Sequence, residues 1–177
     1  MTPSTEISAD EVLKTDVFSN FLNAAKAFCT FIETEGSFTE IEFLRVTQIH
    51  LATLYFHARQ IPSVHLRVDK DFESDIDDKQ MKLLLKFIGE RVPFSYYWVV
   101  LNPVDIKNVA EIGTGDLIDD LGDIYRDLRR ALIIFETDDI AAKENAIWKF
   151  KFDFDFHWNQ HCIDALSAIQ HYLAENR

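Results

Sequence analysis

The chain has 177 residues, 47% of them hydrophobic, with only 5 Gly and 4 Pro. That excludes a disordered or linker-rich chain and is enough for one ordinary domain with a sizeable core. Its 30 acidic and 18 basic residues give a formal net charge of −12, which works against nonspecific attraction to nucleic acid or to an anionic membrane surface.

Met1 to Val12 lacks a basic region followed by a hydrophobic signal core, and no segment has the apolar length to span a bilayer, so a soluble cytoplasmic protein is expected. Residues 1–15 read as a flexible lead-in, and 16–177 as a single helical domain. Val17, Phe18, Phe21, Leu22, Ala25, Phe28 and Ile32 recur with helical spacing until Gly36 breaks the run. Ser37 and Glu40 have the spacing of a capping box, which places a second helix over roughly 38–60 before Pro62 ends it. Residues 63–78 read as a connection. A helix follows through Met81, Leu84, Leu85 and Ile88 and stops at Gly89 and Pro93.

Tyr96 to Leu101 has the composition of an extended segment but no evident partner strand, so an aromatic loop plug or a short helical turn is equally compatible. Gly113-Thr114-Gly115 is a turn candidate. It lacks the Lys-Ser/Thr ending of a phosphate-binding loop. From Asp116 to Phe135, Leu117, Leu121, Ile124, Leu128, Ala131 and Phe135 mark a buried helical face. The next helix begins near Asp138 or Asp139. Phe150, Phe152, Phe154 and Phe156 alternate as a strand would, yet they also continue helical faces, and a helix kinked near Asp153 is expected. The last helix runs through Trp158, Ala165, Ile169 and Tyr172. The fold class is therefore all-α, a compact bundle-like domain of five or six main helices.

Two polar stripes are candidate site material. Asp116, Asp119, Asp120, Asp123 and Asp127 share one broad flank of their helix, and His157, His161 and Asp164 repeat the three- or four-residue spacing near the other end. Grouped carboxylates can hold a divalent cation, with magnesium or manganese the ion expected, and Asp120 with Asp123 is the most attractive pair at the edge of the buried face. The plain alternative is a hydrated acidic surface whose first carboxylates favour the helix dipole. The histidine stripe can bind a transition metal, hold a phosphate when protonated, or form an interior hydrogen-bond network. The candidate metal ligands are Asp120, Asp123, His157, His161 and Asp164. His50, His57, His65 and His171 read as packing or surface residues, and Tyr96, Tyr97, Trp98, Trp148 and Trp158 as core rather than pocket. Cys29 and Cys162, too few for a disulfide framework, fall in apolar helical patterns and read as reduced core residues.

Asp119-Asp120-Leu121-Gly122-Asp123-Ile124-Tyr125-Arg126-Asp127-Leu128 and Phe156-His157-Trp158-Asn159-Gln160-His161-Cys162-Ile163-Asp164-Ala165-Leu166 together resemble the bacterial, mainly helical family called domain of unknown function 5063. The resemblance implies an all-helical single domain and assigns no activity. It marks Asp120, Asp123, Tyr125, His157, Trp158, His161 and Asp164 for testing. The block Asp119-Asp120-Leu121-Gly122-Asp123 also looks like the second acidic motif of MazG-like nucleotide pyrophosphohydrolases, with Asp at the customary Glu positions. That resemblance implies magnesium held by Asp120 and Asp123 over a triphosphate. The upstream helix lacks the matching paired acidic motif, and Glu33, Glu40 and Glu42 are the substitutes on offer. The leading functional expectation is a protein-binding or structural module with a protein partner or a second copy. The alternatives are a magnesium-dependent pyrophosphohydrolase, and a non-catalytic small-molecule or metal sensor.

Overall fold

Apolar residues at helical spacing, every run but the last opened by a hydroxyl or carboxylate cap, set the architecture. The computed structural model describes residues 7–67 and 70–176. It contains α1 (Ala9–Val12), α2 (Asp16–Glu33), α3 (Glu40–Ala58), α4 (Asp78–Gly89), a two-stranded sheet of β1 (Tyr96–Val100) and β2 (Ile112–Asp116), then α5 (Leu117–Phe135), α6 (Ile140–Asp153), a π-helical turn Phe154–Trp158, and α7 (Asn159–Glu175). The fold is all-α, with six main helices among the described residues. Helix α5 is central and packs against α2, α4, α6, α7 and the π-turn, while α3 bridges α2 and α7.

Several boundaries follow from local chemistry. Thr15, Asp77, Asp116 and Asp139 each accept a backbone N–H of the first turn they precede, which satisfies donors the helix itself leaves open. The capping box of α3 is formed by Thr39 and Glu42, two residues beyond the expected Ser37–Glu40 pair. Thr39 is the residue whose extended backbone lets its Oγ1 accept from Glu42 N, at 3.2 Å. The expected lead-in carries local structure of its own. Its first six residues lie outside the described residues, but Ser8 and Glu11 form a second capping box, Ala9 and Val12 are buried, and Ile7 bridges Val64. Two apolar side chains three residues apart suffice to fasten this single turn to α6.

Glu144 of α6 fastens the connection after α3. Its carboxylate accepts from Arg67 N and Arg67 Nε, both at 2.5 Å. Burial alone would raise this carboxyl, but the Arg67 hydrogen bonds and charge outweigh it and hold Glu144 below the ordinary carboxylate range. The contact therefore stabilises fully above that range and is lost as pH falls through the lowered folded value. The expected result is a stability gap between wild type and Glu144→Gln that is widest near neutrality and closes as pH falls below the ordinary carboxylate range, read from urea midpoints along a pH series. A gap independent of pH would contradict the assignment.

The extended segment does find a partner. Tyr96 pairs with Asp116, Trp98 with Thr114 and Val100 with Ile112 in an antiparallel register, so Gly113-Thr114-Gly115 is strand rather than turn. The reason lies in Gly115: a Cβ there would lie 2.4 Å from Tyr97 Cζ, so only glycine lets the Tyr97 ring lie across β2. The hairpin is anchored at its base by Leu117 N donating to Ser95 O at 2.8 Å. Its other face is open. Tyr96 and Trp98 are 72% and 79% exposed, which corrects the expectation that they belong to the core. Trp158 is fully buried as expected, and Trp148 is half-buried, stacked on Phe152. Both cysteines are free and buried.

The aromatic run after α6 is helical, with its irregularity at the expected place. Asn159 N donates to Phe154 O, five residues back rather than four, which is the signature of a π-turn. This extra residue sets the rotation with which α7 leaves and so the direction of every side chain along it.

Candidate metal centre

The two polar stripes meet. Asp120, Asp123 and Asp127 project from α5 towards His157 in the π-turn and His161 on α7, and all three carboxylates are buried. His157 Nδ1–H donates to Asp127 Oδ2 at 2.6 Å, and His161 Nδ1–H donates to Asp120 Oδ1 at 2.7 Å. With both Nδ1 atoms so engaged, the Nε2 lone pairs are the free ones. Both point the same way: His157 Nε2 lies 3.8 Å and His161 Nε2 3.6 Å from Asp123 Oδ2. The ligand atoms of Asp123, His157 and His161 all lie within 4.8 Å of one another. Ligands about 2.1 Å from a tetrahedral ion sit roughly 3.4 Å apart, so these groups would have to close inward to hold one.

Neighbouring groups fix the orientation. Tyr97 OH donates to Asp120 Oδ2, so Asp120 is held from the hairpin side while it holds His161. Arg126 donates to the other oxygen of Asp123. Carboxylate–histidine pairs of this kind orient a ligating imidazole and make it more basic. Burial raises the Asp123 carboxyl, against the opposing Arg126 charge. The Asp120 hydrogen bond raises His161 against the effect of burial, with the Asp120, Asp123 and Asp119 charges adding to it. Burial, then the Asp120 hydrogen bond and charge, raise Tyr97, which keeps its proton as the donor. Asp120, Asp123 and Asp127 outnumber Arg126, the guanidinium paired with Asp123, so the surplus charge of the cluster is carboxylate and suits a cation.

Other expected residues take different places. Asp116 is the cap of α5, accepting from Ile118 N at 3.0 Å, and Asp119 is exposed. Asp164 accepts from Gln160 Nε2 at 3.0 Å and stands outside the three-group cluster. Glu42 is spent on the Thr39 cap, and Glu33 accepts from Tyr125 OH at 2.7 Å and pairs with Arg129. Two participants were not recognised from the residues alone: Tyr97 was read as core, and Arg126 was not singled out. The three-residue step from Asp123 to Arg126 was the available signal for the second.

An all-helical domain with a carboxylate–histidine cluster between its central and last helices is the class these observations define. Residues 13–175 match the family described as Domain of unknown function (DUF5063), and the chain belongs to that family. Its fold is similar to the crystal structure of protein BF1032 from Bacteroides fragilis, at 19% sequence identity and a TM-score of 0.76, over 90% of this chain and 93% of that one. No curated protein matches the chain. Neither the family match nor this structural likeness carries the MazG-like resemblance. No helix among the described residues is long and apolar enough to cross a membrane.

Proposed function

We propose that this protein is a metal-binding helical domain in which Asp123, His157 and His161 hold one divalent transition-metal ion. The observation that carries the reading is the paired use of Nδ1. Asp127 and Asp120 each take one imidazole Nδ1–H, which turns both Nε2 atoms towards Asp123 Oδ2. Two imidazole nitrogens and one carboxylate suit zinc, iron(II) or cobalt better than magnesium, which prefers an all-oxygen shell. Three protein ligands also leave coordination positions for water or an anionic ligand. Asp120 and Asp127 act as orienting groups in this reading rather than as ligands.

The pyrophosphohydrolase reading has less support, because two of the three upstream glutamates, Glu33 and Glu42, are committed to Tyr125, Arg129 and Thr39, and Glu40 is exposed in the first turn of α3. The reading as a protein-binding module rests on the open apolar face of the hairpin. The metal centre is the better supported, since each of its groups has a defined partner. Its test is a titration with cobalt(II) as a spectroscopic probe. The expected result is saturation at one equivalent with visible ligand-field bands, zinc displacing cobalt, and magnesium failing to compete. Absence of saturable binding, or tighter binding of magnesium than of zinc, would sink the proposal.

A further inference from the structure

A separate cleft of about 610 Å³ opens between α4, α5 and the end of α2, and it shares no lining residue with the metal cluster. That volume lies within the range of small-molecule sites. Leu83, Leu84, Phe87 and Ile133 supply an apolar wall, and Tyr125 lies beside it. The polar lining is unbalanced. Lys86 and Arg129 face Glu33, Glu35, Asp75 and Glu90. Both cations already have partners, Lys86 Nζ at 3.7 Å from Glu90 and Arg129 Nε at 3.5 Å from Glu33. Among the described residues Glu35 and Asp75 form no ion pair within 4.0 Å, although the Arg91 charge acts on Glu35. The aromatic wall already accepts a cation from within the protein: the Arg91 guanidinium carbon sits 3.5 Å over the Phe87 ring.

We propose that this cleft binds a small organic cation with an apolar body, its ammonium or amidinium group directed to Glu35 and Asp75 and its body lying on Leu83, Leu84 and Phe87. The site is independent of the metal reading, and its ligand is selected by charge as much as by shape. An anion of the same shape would meet the surplus carboxylates. An inorganic cation would leave the apolar wall exposed.

The test compares 2-naphthylmethylammonium with 2-naphthoate, two probes with the same ring system and opposite charge, by amide-resolved NMR titration of the full chain. The expected result is binding of the ammonium probe about tenfold tighter than the carboxylate, with shifts centred on Leu83, Phe87 and Tyr125. The double substitution Glu35→Gln with Asp75→Asn, both surface groups, should bring the two affinities together while leaving the fold's spectrum intact. Equal affinity in the wild type would overturn the proposal. So would shifts centred on Asp123 and His161, or a preference unchanged by the double substitution.

Discussion

Replacing His161 with alanine is expected to lower zinc or cobalt affinity by more than about a hundredfold, since loss of an orienting group alone typically costs 10–100-fold. The substitution removes a nitrogen of the proposed ligand set and also leaves Asp120 with only its Tyr97 partner. Tyr97→Phe is the graded companion. It removes one hydrogen bond to Asp120 without touching a ligand, and a loss of about tenfold is expected. Competition against a chromophoric chelator measures both, and the thermal transition of the metal-free proteins separates lost ligation from lost folding. If His161→Ala binds metal as wild type does, the three-group cradle is not the site. If Tyr97→Phe weakens binding as much as His161→Ala does, Tyr97 does more than orient Asp120.

The largest expected loss of stability comes from Trp158→Ala, at about 3–5 kcal/mol. Trp158 is fully buried at the end of the π-turn, edge-on to Phe154 with ring centroids 4.7 Å apart, so truncation opens a large void in the core beside Phe154. Against a total stability of about 5–15 kcal/mol, such a loss is a substantial fraction. Trp158 Nε1 is buried with no hydrogen-bond partner among the described residues. Trp158→Phe removes that unpaired donor along with some volume, so its loss should be the smaller one. Urea unfolding of the three proteins checks this ordering. A cost for the alanine variant below about 1 kcal/mol would show that the site collapses around the void.

Much of the helical fold was legible because the main helices carry apolar residues at helical spacing and most are bounded by a recognisable cap or breaker. The kink near Asp153 was legible for the same reason, since the phenylalanines continue helical faces on both sides of it. The hairpin was not. Ile112-Gly113-Thr114-Gly115-Asp116 has little strand preference of its own, and what makes it a strand is the Tyr97 ring lying over Gly115, a tertiary fact. Residues 7–15 carry no helical signal for a related reason, because one capped turn with two apolar residues is too short to show a period.

The site was half legible. Both stripes were visible, and three of the five expected metal ligands, Asp123, His157 and His161, are those of the cluster now proposed. Which histidine meets which aspartate depends on how the helices run past each other. His157 meets Asp127 and His161 meets Asp120, so partners move towards the start of α5 as α7 advances. Asp164, one turn further along α7, accepts from Gln160 of its own helix instead.

The π-turn has a consequence for how such a centre can arise or vanish in a lineage. It is one residue longer than the α-helical path between Phe154 and Asn159 requires. Loss of a single codon within it would let α6 and α7 merge into a regular helix and swing His161 by about 100° away from Asp120 and Asp123. The proposed cradle depends on that single residue, so a one-codon length change is enough to take the three groups apart on the same scaffold.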